Sequence, residues 1–403
     1  MLGLLTSNRS ALMSVSRRNF IASLGVGGAG VLALPLVTSR GRESLYAFQQ
    51  VQGTSGTAAR RADRLMASRA GMIRIDSNEN PNGPGAGVYD AIKGALGTSN
   101  RYPTQSEDDL IDAIARSHGV KPENVLLGCG SGELLRASVQ AFTSADRPLV
   151  SPVPTFESSA GFARFIGTKV IEPGLDASLK FDLQAMSDAA RGAGLVYFCN
   201  PNNPTSTVHT KAEVTSYIAD VNKRSPETTI LVDEAYHEYV AEPGYATAVP
   251  IAIANPRVFV LRTFSKVFGM AGLRVGYAIG QKATLDKMRP WMLGSNVNAL
   301  ALAAATMTIG DTQHIAAEVK RNAEAREYTK KFFTDAGFTV AGAEGNFLMV
   351  NVKRDVRALK AELIKKNVAV GRPFPPLNTH LRISIGTMPE MKKALDVLHS
   401  TLV

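Results

Sequence analysis

The stretch RVFVLRTFSKVFGMAGLRVG, residues 257–276, decides how this chain reads. Val258 to Leu261 is a continuous apolar run of strand character. Thr263, Ser265 and Lys266 follow at once, and Arg274 stands eight residues beyond the lysine. A lysine closing a buried strand is costly unless it is neutralised or bonded. One chemical solution is attachment to an aldehyde cofactor, with the neighbouring hydroxyls and the arginine holding that cofactor's phosphate. Taken alone, the same residues also fit an exposed loop lysine.

Three further segments bear on that choice. Cys199-Asn200-Pro201-Asn202-Asn203-Pro204-Thr205 follows the apolar run Leu195 to Phe198, and by itself reads as a strand-to-loop turn. Val232-Asp233-Glu234-Ala235-Tyr236 follows Thr229-Ile230-Leu231, where a carboxylate is ordinarily solvated or a helix cap. Gly128-Cys129-Gly130-Ser131-Gly132-Glu133 lies between the strand-like Val125 to Leu127 and a helix expected to run to about Phe142. Backbone N–H groups at such a helix start form an anion site, although a glycine-rich start without a ligand has the same pattern.

In this order and spacing the segments resemble fold-type I pyridoxal-phosphate (PLP) aminotransferases, and most closely the histidinol-phosphate aminotransferase branch. The resemblance extends from about Arg74 to the C-terminus. It takes in Ser77-Asn78-Glu79-Asn80-Pro81, Arg101-Tyr102-Pro103 and Leu381-Arg382-Ile383-Ser384 as well. It implies that Lys266 captures the cofactor's aldehyde and then shuttles a proton. Asp233 would keep the pyridine nitrogen protonated, while Asn203 and Tyr236 would bond the ring's phenolic oxygen. Phe156 would stack on the ring, with a core aromatic as the competing reading. Ser131, Gly132, Thr263, Ser265 and Arg274 would hold the phosphate. Tyr102 would reach the phosphate of a neighbouring subunit, which implies a homodimer. Arg382 would clamp the substrate's α-carboxylate, with Arg372 and Asn80 as further substrate contacts.

The chain-wide pattern supports an α/β architecture. Apolar runs at Val125 to Leu127, Pro148 to Ser151, Lys169 to Ile171, Leu195 to Phe198, Thr229 to Val232, Arg257 to Leu261 and Tyr277 to Ile279 alternate with helical stretches. Such runs indicate a mostly parallel sheet covered on both faces. Most candidate site residues fall just after these runs, where open α/β sheets bind ligands. The expected organisation is a signal at 1–40, a linker at 41–71 and a first segment of a small α+β domain at 72–103. The large PLP-binding domain would span 104–290, and the rest of the small domain 291–403.

Ser16-Arg17-Arg18-Asn19-Phe20-Ile21 followed by the apolar Ile21 to Val37 has the layout of a twin-arginine export signal. The apolar run is short for a membrane span, and cleavage is expected after Ser39 or near Ala47. Gly25 to Gly30 mimics a dinucleotide fingerprint but lacks a preceding strand. The net charge of +10 is concentrated in residues 1–70, which carry +7, so the body holds only +3 and presents no nucleic-acid face. Cys129 and Cys199 read as small buried residues, and the six histidines have no metal-ligand spacing.

The expected reaction moves an amino group between an L-amino acid and a 2-oxo acid such as 2-oxoglutarate. Histidinol phosphate, an aromatic amino acid or another neutral one would serve as donor. Several features depart from the branch pattern: Pro-rich spacing between Arg372 and Arg382, Ser206 where glycine is usual, and Gly132 where aspartate is usual. Phosphorylated histidine precursors are cytoplasmic, which sets the export signal against histidinol phosphate. A PLP-dependent lyase or racemase on the same fold is the alternative, and a non-catalytic binding protein is a third reading.

Overall fold

The computed structural model describes residues 71–402. The expected twin-arginine signal at 1–40 and nearly all of the linker at 41–71 lie outside the described residues. The strands are β1 (Ile73–Ile75), β2 (Val125–Gly128), β3 (Leu149–Val150), β4 (Val170–Ile171), β5 (Leu195–Cys199) and β6 (Thr229–Asp233), then β7 (Val258–Thr263), β8 (Gly276–Gly280), β9 (Thr339–Gly342), β10 (Phe347–Asn351), β11 (Val368–Val370) and β12 (His380–Ser384). No helix of the described residues is long and apolar enough to cross a membrane.

A seven-stranded sheet in the order β2-β8-β7-β6-β5-β3-β4 forms the larger body. Its pairings from β7 through β6, β5 and β3 to β4 are parallel, and β8 runs antiparallel to both β2 and β7. Every residue of β5, β6, β7 and β8 is buried, which explains why these segments read as unbroken apolar runs rather than alternating ones. The register places Cys199, Asp233 and Leu261 side by side on β5, β6 and β7. The segments leaving these three strands therefore emerge at one edge, where the fold builds its site.

A second, smaller core gathers Ile75, Phe333, Leu348, Val350, Leu363, Val368, Leu381, Ile383 and Leu395. It is built on the antiparallel trio β12-β10-β9 and the parallel pair β1-β11. The expected boundaries at 103 and 290 do not follow the division of the cores. Val88 of the helix Ala86–Ala95 belongs to the larger core, as do Ala301, Leu302, Ala304 and Ala305 of the helix Ala299–Ile309. The physical reason is close packing between two small-residue helices: a Cβ at Gly87 would meet Met307 at 2.7 Å. The strand β11 went unnamed in the sequence because three residues carry too little periodicity to read.

Ser206 shows how the departure from glycine is accommodated. It adopts φ 57°, the left-handed conformation that glycine takes freely, and is fully buried. Its hydroxyl donates to the Phe347 carbonyl at 3.0 Å and accepts from the N–H groups of Glu344 and Gly345 at 3.0 and 3.1 Å. Those bonds tie the turn after β5 to the start of β10 and the turn before it. Ser206→Ala keeps the same Cβ, and so the same backbone strain, but orphans these partners. It is expected to lower stability by roughly 1–3 kcal/mol in a urea titration, and an unchanged midpoint would show the hydroxyl to be dispensable.

Candidate active site

Lys266 is half-buried in the loop after β7, not an exposed loop lysine. Its ammonium donates to the Asn78 carbonyl at 2.9 Å and lies 5.5 Å from the centre of the Tyr236 ring. Burial, with Arg382 adding to it, lowers its pKa to about 8 against the opposing pull of Glu79 and Asp233. An amine in that range is substantially neutral at mildly alkaline pH and can act as nucleophile and base.

Asp233 ends β6 and is 4 % exposed. Burial raises its carboxyl to about 6, opposed by bonds from the Tyr197 hydroxyl to Oδ2 at 2.8 Å and from the Ala235 N–H to Oδ1 at 3.1 Å. Tyr197 was missed in the sequence. A lone tyrosine inside a fully buried apolar strand needs a partner for its hydroxyl, and that was the available signal. Tyr236 is buried, edge-on to Phe347, and accepts from Asn78 Nδ2 at 3.2 Å. Burial pushes its phenol upward, so it stays protonated and able to donate.

Arg382 lies on β12 and is 8 % exposed. It donates to Asn203 Oδ1 at 2.8 Å and to the Asp76 carbonyl at 2.6 Å, while its Nε has no partner among the described residues. Burial lowers its pKa to about 10. A buried guanidinium with an unfilled donor is a site for an anion. Since Asn203 Oδ1 is taken by Arg382, the Asn203 amide N–H groups are what remain for an electron-rich oxygen.

At the other end lies the N-terminus of the helix Ser131–Phe142. Arg274, at φ 62°, packs so closely on Gly130 that a side chain there would overlap it. Its Nη1 reaches Ser265 Oγ at 3.4 Å, and Thr263 Oγ1 accepts the Ser265 N–H at 3.1 Å. A Cβ at Gly132 would meet nothing within 4 Å, so the space over this helix start is open. Glu133 accepts the Cys129 N–H at 2.7 Å and the Asn296 amide, so both of its carboxylate oxygens are bonded within the protein.

The remaining expected residues divide. Phe156, 39 % exposed, presents its ring from the loop before the helix Ser158–Phe165, and Tyr102 is 88 % exposed on this chain. Asn80 donates through its amide to the Val267 carbonyl at 2.9 Å and accepts the Asn82 N–H at 3.0 Å, so one donor and one acceptor position are used within the loop. Asn78, two residues earlier, is the residue that reaches the centre. Arg372 does lie beside Arg382, but its guanidinium is bonded to Glu157.

These residues fit PLP on their own chemistry. The open helix start with two hydroxyls and Arg274 suits a phosphate dianion, and Asp233 suits a pyridinium. Tyr236 and Asn203 suit a phenolate oxygen, and Lys266 an aldehyde.

Comparison with known proteins agrees. Residues 70–398 match the family aminotransferase class I and II. A histidinol-phosphate aminotransferase of Moorella thermoacetica is 32 % identical over 335 residues, covering 82 % of this chain and 86 % of that one. One of Macrococcus caseolyticus is 34 % identical over 328 residues, covering 81 % and 90 %. The structure of the Sinorhizobium meliloti histidinol-phosphate aminotransferase in complex with PLP shares the fold, with a TM-score of 0.82 at 24 % identity over 93 % of this chain and 99 % of that one.

Two outcomes are expected. The apoenzyme should capture PLP faster as pH rises, levelling above about 8, because only the neutral Lys266 amine attacks and its folded pKa is lowered to that value. Borohydride trapping of bound PLP against pH measures this, and Lys266→Ala should trap none. Tyr197→Phe removes a bond that favours ionised Asp233, so the carboxyl should titrate above about 6. PLP affinity should then fall roughly ten-fold by equilibrium dialysis, for a bond to a charged group worth about 1.5 kcal/mol or more.

Proposed function

The chain belongs to the aminotransferase class I and II family and is a PLP-dependent transaminase, and from that premise we propose that it moves an amino group between an L-amino acid and a 2-oxo acid at the edge formed by β5, β6, β7 and β12. The observation that carries this reading is the electrostatically coupled set Lys266, Asp233 and Arg382, in which Asp233 and Arg382 act in opposite directions on Lys266, beside the unfilled Nε of Arg382.

When bound, PLP supplies an aldehyde that carries amino groups and a ring that takes up an electron pair. Arg382 binds the substrate's α-carboxylate with its unfilled donor and so fixes the α-carbon in place. Lys266 Nζ would take the α-proton and deliver it to the carbon that carried the aldehyde, and the second half-reaction would run the same transfer in reverse, a task suited to an amine near pH 8. Asp233, ionised above about pH 6, holds a proton on the ring nitrogen, and Tyr197 keeps the carboxylate oriented. Asn203 and Tyr236 donate to the ring oxygen, while Ser131, Gly132, Thr263, Ser265 and Arg274 anchor the phosphate.

The proposal includes a homodimer, in which the exposed Tyr102 of each chain serves its neighbour's phosphate, and twin-arginine export of the folded enzyme. Histidinol phosphate belongs to the names of the relatives; for this chain the proposed donor is an aromatic or other neutral amino acid, or a histidinol-phosphate-like amine whose phosphate would take the place of the α-carboxylate on Arg382.

The test is an absorption spectrum of the PLP-loaded enzyme titrated with single amino acids. Conversion of the aldehyde-form band to the amine-form band is expected, and ammonia release without conversion would replace the transaminase reading with a lyase. Arg382→Ala should lower kcat/KM for the amino acid about 10²-fold, for a charge-assisted pair worth roughly 3 kcal/mol. An unchanged kcat/KM would remove Arg382 from the site.

A further inference from the structure

Beside Arg382 the chain carries a second arginine that is already occupied. Arg372 follows Gly371, whose N–H donates to the Arg382 carbonyl at 3.0 Å, so the two arginines leave adjoining backbone. Both guanidiniums lie against one ring: Arg382 is 4.9 Å and Arg372 4.1 Å from the centre of Phe374. Arg372 Nη2 is bonded to Glu157 Oε1, and its Nη1 donates to the Pro373 carbonyl at 3.0 Å. Glu157 directly follows Phe156, the residue expected at the cofactor ring. The arginine and glutamate side chains are 35 % and 36 % exposed, so a substrate held by Arg382 can reach them.

The adjoining cleft, about 60 Å³, has an apolar wall of Pro152, Val153, Pro154, Ala160, Phe374 and Pro375, with Ser151, Thr155, Glu157, Arg164 and Glu172 completing its lining. Its other charged groups are also paired, Arg164 with Glu172 at 2.5 Å. Phe374 and Glu157 are common to this cleft and to the surroundings of the two arginines, so a side chain extending past Phe374 from an α-carboxylate on Arg382 would meet an apolar wall and two ion pairs that carry no net charge.

We propose that the Glu157–Arg372 pair makes this subsite select uncharged side chains, aromatic or aliphatic, and reject those ending in phosphate or carboxylate. This rests on the transaminase reading above and on Arg382 as its carboxylate clamp. The physical argument is competition. An anionic side chain gains Arg372 only by displacing Glu157, and it must then tolerate the displaced carboxylate nearby. A neutral side chain leaves the pair intact and buries its apolar surface against Phe374 and the prolines. Specificity here comes from an internal occupant of the attractive group, which costs nothing for the accepted substrate and is lost for the rejected one. Because both half-reactions share the site, the same pairing favours a 2-oxo acid with a neutral side chain over a dicarboxylic acceptor.

Three carboxylic acids without amino groups test this, since they bind the PLP-loaded enzyme without reacting: 3-phenylpropionate, glutarate and 3-phosphonopropionate, each titrated by calorimetry. The wild type should bind 3-phenylpropionate at least about ten-fold more tightly than the two anionic-tailed acids. Glu157→Gln keeps the size of the side chain and removes its charge, so it should strengthen glutarate and 3-phosphonopropionate about ten-fold or more. Binding of 3-phenylpropionate should stay within about two-fold, and the double variant Glu157→Gln, Arg372→Gln should lose the gain. Equal binding of all three acids by the wild type, or an unchanged ranking in Glu157→Gln, overturns the proposal. Loss of all three ligands in Arg382→Ala together with that result would leave the transaminase reading standing and only this inference refuted. No binding by the wild type, with no spectral conversion by any amino acid, would refute both.

Discussion

An amine held between two hydrophobic cores must be bonded, and the bond from Lys266 to the Asn78 carbonyl is the contact on which the site depends. Asn78 is 1 % exposed and sits at φ 51°, a conformation asparagine tolerates better than most residues. Its carbonyl also accepts from Asn346 Nδ2 at 3.0 Å, its N–H donates to Ser384 Oγ at 2.7 Å, and its amide donates to Tyr236. One residue therefore links the loop of Lys266 and the end of β6 in the larger core with β12 in the smaller one. The segment after β1 acts as a strap, and Asn80, bonded to Val267, secures it one step further along.

Next to this polar centre lies a buried charge cluster that fixes the strand ends. Arg262, on β7 one residue before Thr263, donates to Glu234 Oε2 at 2.9 Å, to Glu238 Oε1 at 3.2 Å and to Thr247 Oγ1 at 3.0 Å. Glu234 follows Asp233 directly and also accepts from the Ala248 N–H at 2.6 Å. A buried ion pair is weak evidence for stability, since desolvation offsets most of its attraction. What these bonds do is hold the ends of β6 and β7, with their last residues Asp233 and Thr263, at the candidate site. A carboxylate raised to about 6 and an amine lowered to about 8 need fixed neighbours, because a shift produced by burial disappears when water enters.

The sheet was legible because its central strands are buried on both faces, and burial writes itself as unbroken runs such as Leu195 to Phe198. The candidate cofactor residues stood out for a related reason: Asp233, Asn203 and Lys266 stand at or just beyond the ends of those runs, where polar types are conspicuous. Residues that act through a partner left weaker marks. Tyr197 looks like core until the register sets its neighbour Cys199 level with Asp233. Asn78 and Asn80 are indistinguishable in sequence, and only the backbone turn at Asn78 decides which one faces the lysine. The division of the cores was hidden because the helix Ala299–Ile309 is apolar on all sides, which names burial but not the core that receives it. Glu157 and Arg372 are 215 residues apart, and a pairing at that separation has no local pattern at all.

The departures from the family pattern follow one rule, that a substitution is tolerated when the geometry it needs is supplied elsewhere. Ser206 replaces a glycine yet keeps the left-handed turn, because its hydroxyl gains three partners that glycine could not have had. Gly132 gives up a side chain at a helix start where backbone donors and Arg274 already suit an anion. Arg274 itself holds a positive φ, and its position is secured by the Ala271 carbonyl at 3.0 Å and by a Gly130 that leaves room for it. Arg372 extends the rule to specificity. An arginine stacked on Phe374 beside a second arginine would face like-charge repulsion, and Glu157 removes most of it by neutralising the outer one. The inner guanidinium of Arg382 is thereby left as the unpaired cation of the pair. Under the proposed function a substrate's α-carboxylate would have one arginine to choose, and that choice would set the orientation of its α-carbon toward Lys266.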